Sequence, residues 1–379
     1  MIYFDNSATT PIFPEALDTY MKVSQAVIGN PSSLHKLGVT ADQLLQQSRK
    51  QVAELLNVSP KEIYFISGGT EGDNWAIKGT AIEKAPFGKH LITSSVEHPA
   101  VSKTMQQLEK LGFEVTVVPV DDQGVVSVTA IKNAIRPDTI LVSLMAINNE
   151  VGAIQPIKEV GDLLEDYPTI HYHVDAVQGL TEFDTVIQHP RIDFLVLSAH
   201  KFRGPKGVGI MYHKAGKRLA PLLTGGGQES GQRSSTENVP GIAATAKALR
   251  MALENRVTSH QTENQLKDEL LRFLESYEDI RVFSTRKGAA HIVCFAMKAV
   301  RGEVMVHAFE NEAIILSTTS ACSSKKGDAP ATLEAMGVPS EWSKCAVRIS
   351  LSAENTLIEV ETFKKVFQQL HTKFQKIQK

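Results

Sequence analysis

Asp193–Lys201 reads DFLVLSAHK, and Phe202–Gly207 continues it as FRGPKG. Phe194–Leu197 is apolar at every position, so both alternating faces are apolar, as in a strand covered by helices on both sides. Ser198, His200 and Lys201 follow at its carboxyl end, and Gly204-Pro205 stops any continuation. In open parallel sheets that edge is where ligands bind. A lysine held there can be desolvated, which lowers its pKa and suits it to Schiff-base chemistry. The ordinary alternative is a surface lysine closing a strand. Lys206, within the Gly/Pro turn, is the local competitor.

Working outward, Ile63–Ser67, His90–Ser95, Glu114–Val120, Thr139–Ala146, His171–Ala176 and Gly207–His213 also read as strands. Thr70–Lys84, Pro99–Gly112 and Pro156–Asp166 carry helical patterns between them. This alternation predicts an α/β fold with a mostly parallel sheet and flanking helices. Beyond the Gly-rich stretch at Gly225–Gly227, a long helical segment begins near Pro240 and continues toward Tyr277. Strand-like Ile280–Ser284, His291–Ala296 and Ala346–Ser352 then mix with helices. With 379 residues, two domains are expected. One is a large α/β domain over 14–250; the other is a smaller α+β domain built from 1–13 and 251–379. The closing helix Ile358–Lys379 is lysine-rich and reads as a solvated face.

Forty basic against 42 acidic side chains give a formal charge of -2. That balance offers no field for nucleic acid or an anionic membrane. The start MIYFDNSATT lacks the basic, then apolar pattern of a secretory signal, and no run approaches a bilayer's thickness, so a cytoplasmic location is expected. Three cysteines, at 294, 322 and 345, point to neither a disulfide framework nor a zinc site.

Ser67–Gly72, SGGTEG, follows a strand and opens a helix, a setting in which backbone N–H groups can approach a phosphate. It reads equally well as a tight turn capped by Thr70. His171, His173 and Asp175 share one strand face and imitate a metal site, but no further ligand cluster accompanies them, so no metal is expected. A carboxylate at the strand's end, with Gln178 nearby, has a better use in bonding a protonated pyridine nitrogen, as in a pyridoxal 5'-phosphate (PLP) site.

Eleven segments then fall in one order: YFDNSATT, GNPSSLH, SGGTEGDN, EHPAV, NNEVGAIQPI, HVDAVQ, SAHKFRGPKGVG, GGGQE, RSSTEN, SACSS and VRISL. Together they resemble the NifS/IscS-type cysteine desulfurases of the fold-type I, PLP-dependent class V aminotransferases. The resemblance implies a seven-stranded fold-type I transferase domain and a homodimer. It makes Lys201 the Schiff-base lysine and proton shuttle, pairs Asp175 with the pyridinium and Gln178 with the ring's phenolic oxygen, and stacks His98 on the ring. It gives the phosphate to Gly69, Thr70, Ser198 and His200, with Thr236 arriving from the second subunit. Asn149 and Arg348 would fix the substrate carboxylate, since arginine's planar fork matches it.

Cys322 sits among small polar residues before Lys325-Lys326, where cations can lower a thiol's pKa, whereas Cys294 and Cys345 lie in apolar surroundings and read as packed thiols. The implied reaction converts L-cysteine to L-alanine and leaves a persulfide on Cys322 for a sulfur-acceptor protein. Departures from the family pattern fall at Ser230 (commonly Arg), at Ser235 (commonly Gly) and in the Thr318-Thr319 and Lys325-Lys326 context of the cysteine loop. They bear on the acceptor, which is a tRNA-thiolation protein or an iron–sulfur or thio-cofactor scaffold. Related alternatives are a selenocysteine lyase, a cysteine sulfinate desulfinase and a PLP aminotransferase. The alternative of another class is a non-enzymatic persulfide carrier.

Overall fold

The computed structural model describes residues 1–183, 188–319 and 331–377. Its strands, in chain order, are β1 (Ile2–Tyr3), β2 (Ile63–Ile66), β3 (His90–Ser94), β4 (Glu114–Val118), β5 (Thr139–Met145), β6 (His171–Asp175) and β7 (Phe194–Ser198). There follow β8 (Gly209–His213), β9 (Ile280–Val282), β10 (Ile292–Met297), β11 (Ile314–Ile315), β12 (Ser317–Thr318) and β13 (Ala346–Ser350).

Seven of these form the main sheet in the order β2-β8-β7-β6-β5-β3-β4. β8 runs antiparallel to both neighbours, and the remaining pairs are parallel. Every residue of β3, β5, β6 and β7 is buried, as expected of strands covered on both faces. Chain order reverses at β3, which has β4 on one side and β5 on the other. That reversal opens a crevice between the loops following β3 and β5.

One face of the sheet contributes Val142, Leu144, Tyr172, Val174 and Leu197 to a core shared with Leu45, Val52, Ile242 and Leu249. The opposite side is packed by Ile77, Ala81, Val101 and Met105 against Leu91 and Leu141, and by Trp75 and Ala76 against Phe194 and Val196. Helix Gly69–Lys84 comes so close to β7 that a Cβ on Gly72 would stand 2.7 Å from a Val196 methyl.

Where one long helix was expected beyond Pro240, there are two, Val239–Glu254 and Arg256–Leu274. The break is Asn255, whose side-chain amide and backbone N–H both return to the Met251 carbonyl. Such local bonding is how asparagine competes with helix continuation.

A second, antiparallel sheet has the order β12-β13-β10-β9. Phe4, Leu270, Phe295, Phe309, Phe363 and Phe367 pack in its separate core. The N-terminus joins this region: β1 pairs with β11, and Asp5 bridges Ser350. The chain therefore leaves the smaller sheet at Asn6 and enters the cleft beside the larger one. None of the described helices is long and apolar enough to cross a membrane.

Leu144 is wholly buried near the carboxyl end of β5. Leu144→Ala should lower unfolding free energy by about 2–5 kcal/mol, read as a shifted denaturant midpoint with unchanged slope.

Candidate active site

The carboxyl ends of the parallel strands, and of β2 which runs the same way as β7, deliver the candidate residues to one edge. Gly69 and Thr70 follow β2, His98 follows β3, Asn149 follows β5, Asp175 ends β6, and Ser198, His200 and Lys201 close β7. His98 and Asn149 thus come from the two loops that flank the reversal at β3.

A cavity of about 400 Å³ is lined by Ser67, Gly68, Gly69, Thr70, Ser198 and His200, with Thr9, Glu71, Lys206 and Gly207 completing the wall. Glycine is required here. Gly68 takes φ 157°, and a Cβ on Gly69 would lie 2.8 Å from Val177. The start of helix Gly69–Lys84 opens onto this space, so its first N–H groups and dipole favour an anion. Arg233 grips Glu71 through two bonds of 2.7 and 3.0 Å, and Glu71 in turn accepts the Ser67 N–H at 2.8 Å. Burial pushes the His200 imidazole down to about 4, aided by Lys201 and Lys206, so it is neutral near pH 7. Its Nδ1 lies 3.2 Å from the Thr9 hydroxyl.

Asp175 is buried, and one of its oxygens accepts the Val177 N–H at 3.0 Å. Burial raises its pKa, while His98, that N–H and Lys201 pull it back. A carboxylate so placed has a use for one more cationic hydrogen-bond donor.

His98 caps helix Pro99–Glu109, its Nδ1 accepting the Ala100 N–H at 3.1 Å. The helix-start role read from Pro99 and a role in the site therefore coexist. Acceptance at Nδ1 leaves the proton on Nε2. Burial lowers the ring's pKa, against the pull of Asp175.

Lys201 donates to the Ser7 carbonyl and, at 2.9 Å, to the Ala8 carbonyl. The Ser7 carbonyl also receives the Gln178 amide at 3.0 Å, and Gln178 Oε1 lies 3.3 Å from His291 Nε2. Arg348, on β13, donates to the Asn149 carbonyl at 2.7 Å and to Asp5 at 3.0 Å, while its Nε has no partner among the described residues. Thr236 is exposed and is not among the residues lining the cavity. Cys322 lies outside the described residues. Cys294 and Cys345 are buried thiols whose pKa values burial pushes up.

Sequence reasoning assigned no role to Asp5, Ser7 and Thr9, although YFDNSATT was the first of the ordered segments. It also missed an acidic layer under the site. Asp73 and His173 face each other at 3.4 Å, both fully buried. Burial drives the Asp73 carboxyl well above its usual range and His173 down to about 3. Beside Asp175, Glu97 accepts from Ser94 Oγ at 2.5 Å and from the Met145 N–H at 3.1 Å. Burial still pushes it up to about 8. The three residues His171, His173 and Asp175 do not act as one cluster: His171 bonds Thr80 and His173 bonds Ser143.

These donors suit PLP. A glycine-walled cradle at a helix start fits a phosphate, a buried carboxylate fits a protonated ring nitrogen, and a strand-edge amine fits an aldehyde.

Sheet order and residue placement define a fold-type I transferase architecture. The model of the aminotransferase class-V family matches residues 2–363. A NifS/IcsS protein homolog of Lactobacillus delbrueckii subsp. bulgaricus is 51% identical over 381 residues, covering 100% of this chain and 99% of its own. The cysteine desulfurase IscS of Clostridium botulinum is 41% identical over 364 residues, 95% of this chain and 91% of its own. A solved NifS-like protein superposes with a TM-score of 0.92 at 35% identity, covering 98% and 99% of the two chains. The chain belongs to the class-V aminotransferase family, among its NifS/IscS-type members.

Because the folded Glu97 binds a proton that the unfolded residue releases near its ordinary 4.5, its contribution to stability is complete below that value. It is lost as pH rises toward 8. Glu97→Gln keeps both acceptor contacts and should flatten the fall in denaturant midpoint between pH 5 and 8, by at most about 1.4 kcal/mol per pH unit. An unchanged slope would show that Glu97 is ionised in the folded protein.

Proposed function

We propose that this chain is a PLP-dependent cysteine desulfurase that converts L-cysteine to L-alanine and passes the sulfur, as a persulfide on Cys322, to an acceptor protein. The carrying observation is the convergence of Lys201 and the buried Asp175, from neighbouring strands, beside the glycine-walled cradle.

Gly69, Thr70, Ser198 and His200 would hold the phosphate, with Thr236, exposed here, supplied by the other subunit of a homodimer. Asp175 would hold the ring nitrogen, Gln178 the phenolic oxygen and His98 one ring face. When bound, PLP supplies the electron sink that lets substrate Cα release a proton.

This chain's residues do the rest. Arg348 and Asn149 fix the substrate carboxylate. Lys201, whose charge acts on both His98 and Asp175, removes the Cα proton. Holding the reacting atoms in place removes most of the entropic cost of their meeting. The Cys322 thiolate attacks the substrate sulfur. An S–S bond forms as the C–S bond breaks, and the C–S electron pair stays on carbon, which is protonated and leaves as alanine. The 14–250 region would carry the cofactor, and 1–13 with 251–379 would carry Arg348 and the Cys322 segment. The acceptor is a tRNA-thiolation protein or an iron–sulfur scaffold.

Borohydride treatment followed by peptide mass mapping should leave the cofactor's mass on the Lys201 peptide of the wild type and nowhere in Lys201→Ala. Retention in that variant would overturn the lysine's assignment. Cys322→Ser should keep the cofactor's absorbance and bind L-cysteine, yet lose at least about a hundredfold in alanine formation. Wild-type alanine formation there would place the nucleophile elsewhere.

A further inference from the structure

A second cavity, of about 420 Å³, lies where the two sheets' regions meet, a size at which small-molecule sites begin. It shares no lining residue with the phosphate cradle, and of the residues read for cofactor and substrate only Gln178 and Lys201 reach its wall. Phe13, Leu180, Phe202 and Leu351 give it an apolar side. Across from them, helix Arg256–Leu274 presents Ser259 and Glu263, one turn apart and so on one face. Glu263 is only 5% exposed, yet its Oε2 has no partner among the described residues. The one charge acting on it, Glu182, is of its own sign. Nearby cations are engaged elsewhere. Lys267, one turn further along the helix, donates to the Gly288 and Ala289 carbonyls, each at 2.9 Å. Arg203 holds Glu354 and lies 4.2 Å over the Phe13 ring, Arg256 donates to the Leu253 carbonyl at 2.8 Å, and Lys201 bonds the Ser7 and Ala8 carbonyls.

From this geometry we propose that the cavity is a binding site for a small organic amine, whose ammonium group pairs with Glu263 and whose apolar body lies against Phe13, Leu180, Phe202 and Leu351. A buried carboxyl without a partner is costly, and an ammonium group relieves that cost with a charge-assisted hydrogen bond in a place that water screens little. Burial pushes Glu263 up to about 8, so the protein suppresses a charge that the ligand restores. An anionic ligand would meet this acid and find cations already bonded to other groups. An uncharged one would cover the apolar side and leave the acid as it was. The apolar side sets the other half of the ligand, since burying its hydrocarbon against aromatic and aliphatic side chains is favourable.

The probe is N,N-dimethylbenzylamine, a tertiary amine and therefore unable to form an imine with PLP. It is titrated by calorimetry into the PLP-loaded enzyme at pH 8, beside benzyl methyl ether, an uncharged molecule of similar shape. Wild type should bind one amine per chain, at least about tenfold tighter than the ether. Glu263→Gln keeps the side chain's shape and should weaken the amine by at least about tenfold while leaving the ether unchanged. Ser259→Trp, which fills the cavity from the same helix face and leaves the acid in place, should weaken both molecules by a similar factor. This second variant keeps the test open should Glu263→Gln fold poorly, and thermal unfolding of each variant reports on that. Absence of saturable amine binding to wild type, or equal binding of amine and ether, would overturn the proposal. So would amine binding that a folded Glu263→Gln or Ser259→Trp leaves unchanged.

Discussion

Everything in this site follows from placing a carboxylate, Asp175, at the dehydrated end of a fully buried strand. Burial opposes its charge, and the groups that oppose burial, the Val177 N–H, His98 and Lys201, come from its own loop, from the loop after β3 and from the end of β7. The rigidity of β6 between β5 and β7 fixes that carboxylate in space. A ligand that offers it a positive N–H gains a strong contact that water screens little, and the charge of the ligand is stabilised in return. The layer below stays close to neutral, with Asp73 and Glu97 driven toward protonation and His173 toward its uncharged form. Asp175 is therefore the acid the cofactor meets.

The N-terminal segment turns two sheets into one site. Leaving the smaller sheet at Asn6, it places the Ser7 carbonyl where Lys201 and Gln178 both bond it, and the Thr9 hydroxyl beside His200. Asp5 meanwhile holds Arg348. Groups attributed to ring, phosphate and substrate thus share one short piece of backbone. Relative movement of the two sheets would disturb all of them together.

Much of this was legible in the sequence. All seven strands of the main sheet appear near the expected positions, because apolar runs such as Phe194–Leu197 and Ile140–Met145 state their burial on both faces. Gly68-Gly69 before a helix, and Lys201 after a strand, carry their chemistry in their local setting. Other features have no local signal. Asn255 breaks a helix that periodicity continues through, since its competing bond to Met251 is a matter of side-chain geometry. Asp73 lies within a helical stretch, and nothing near it in sequence says that His173, a hundred residues on, faces it. The Asp5–Arg348 pair spans 343 positions and exists only once β1 and β13 are in place. Family resemblance supplied Arg348's role; it did not supply its partner.

The central claim is that Asp175 meets a positively charged ring nitrogen in a place where water cannot. It is tested most directly by the ¹⁵N chemical shift of the ring nitrogen in isotopically labelled cofactor bound to the wild-type chain, followed from pH 6 to 9. A nitrogen that stays protonated throughout is the expected result. A nitrogen that is unprotonated at neutral pH, or that titrates as the free cofactor does, would contradict it.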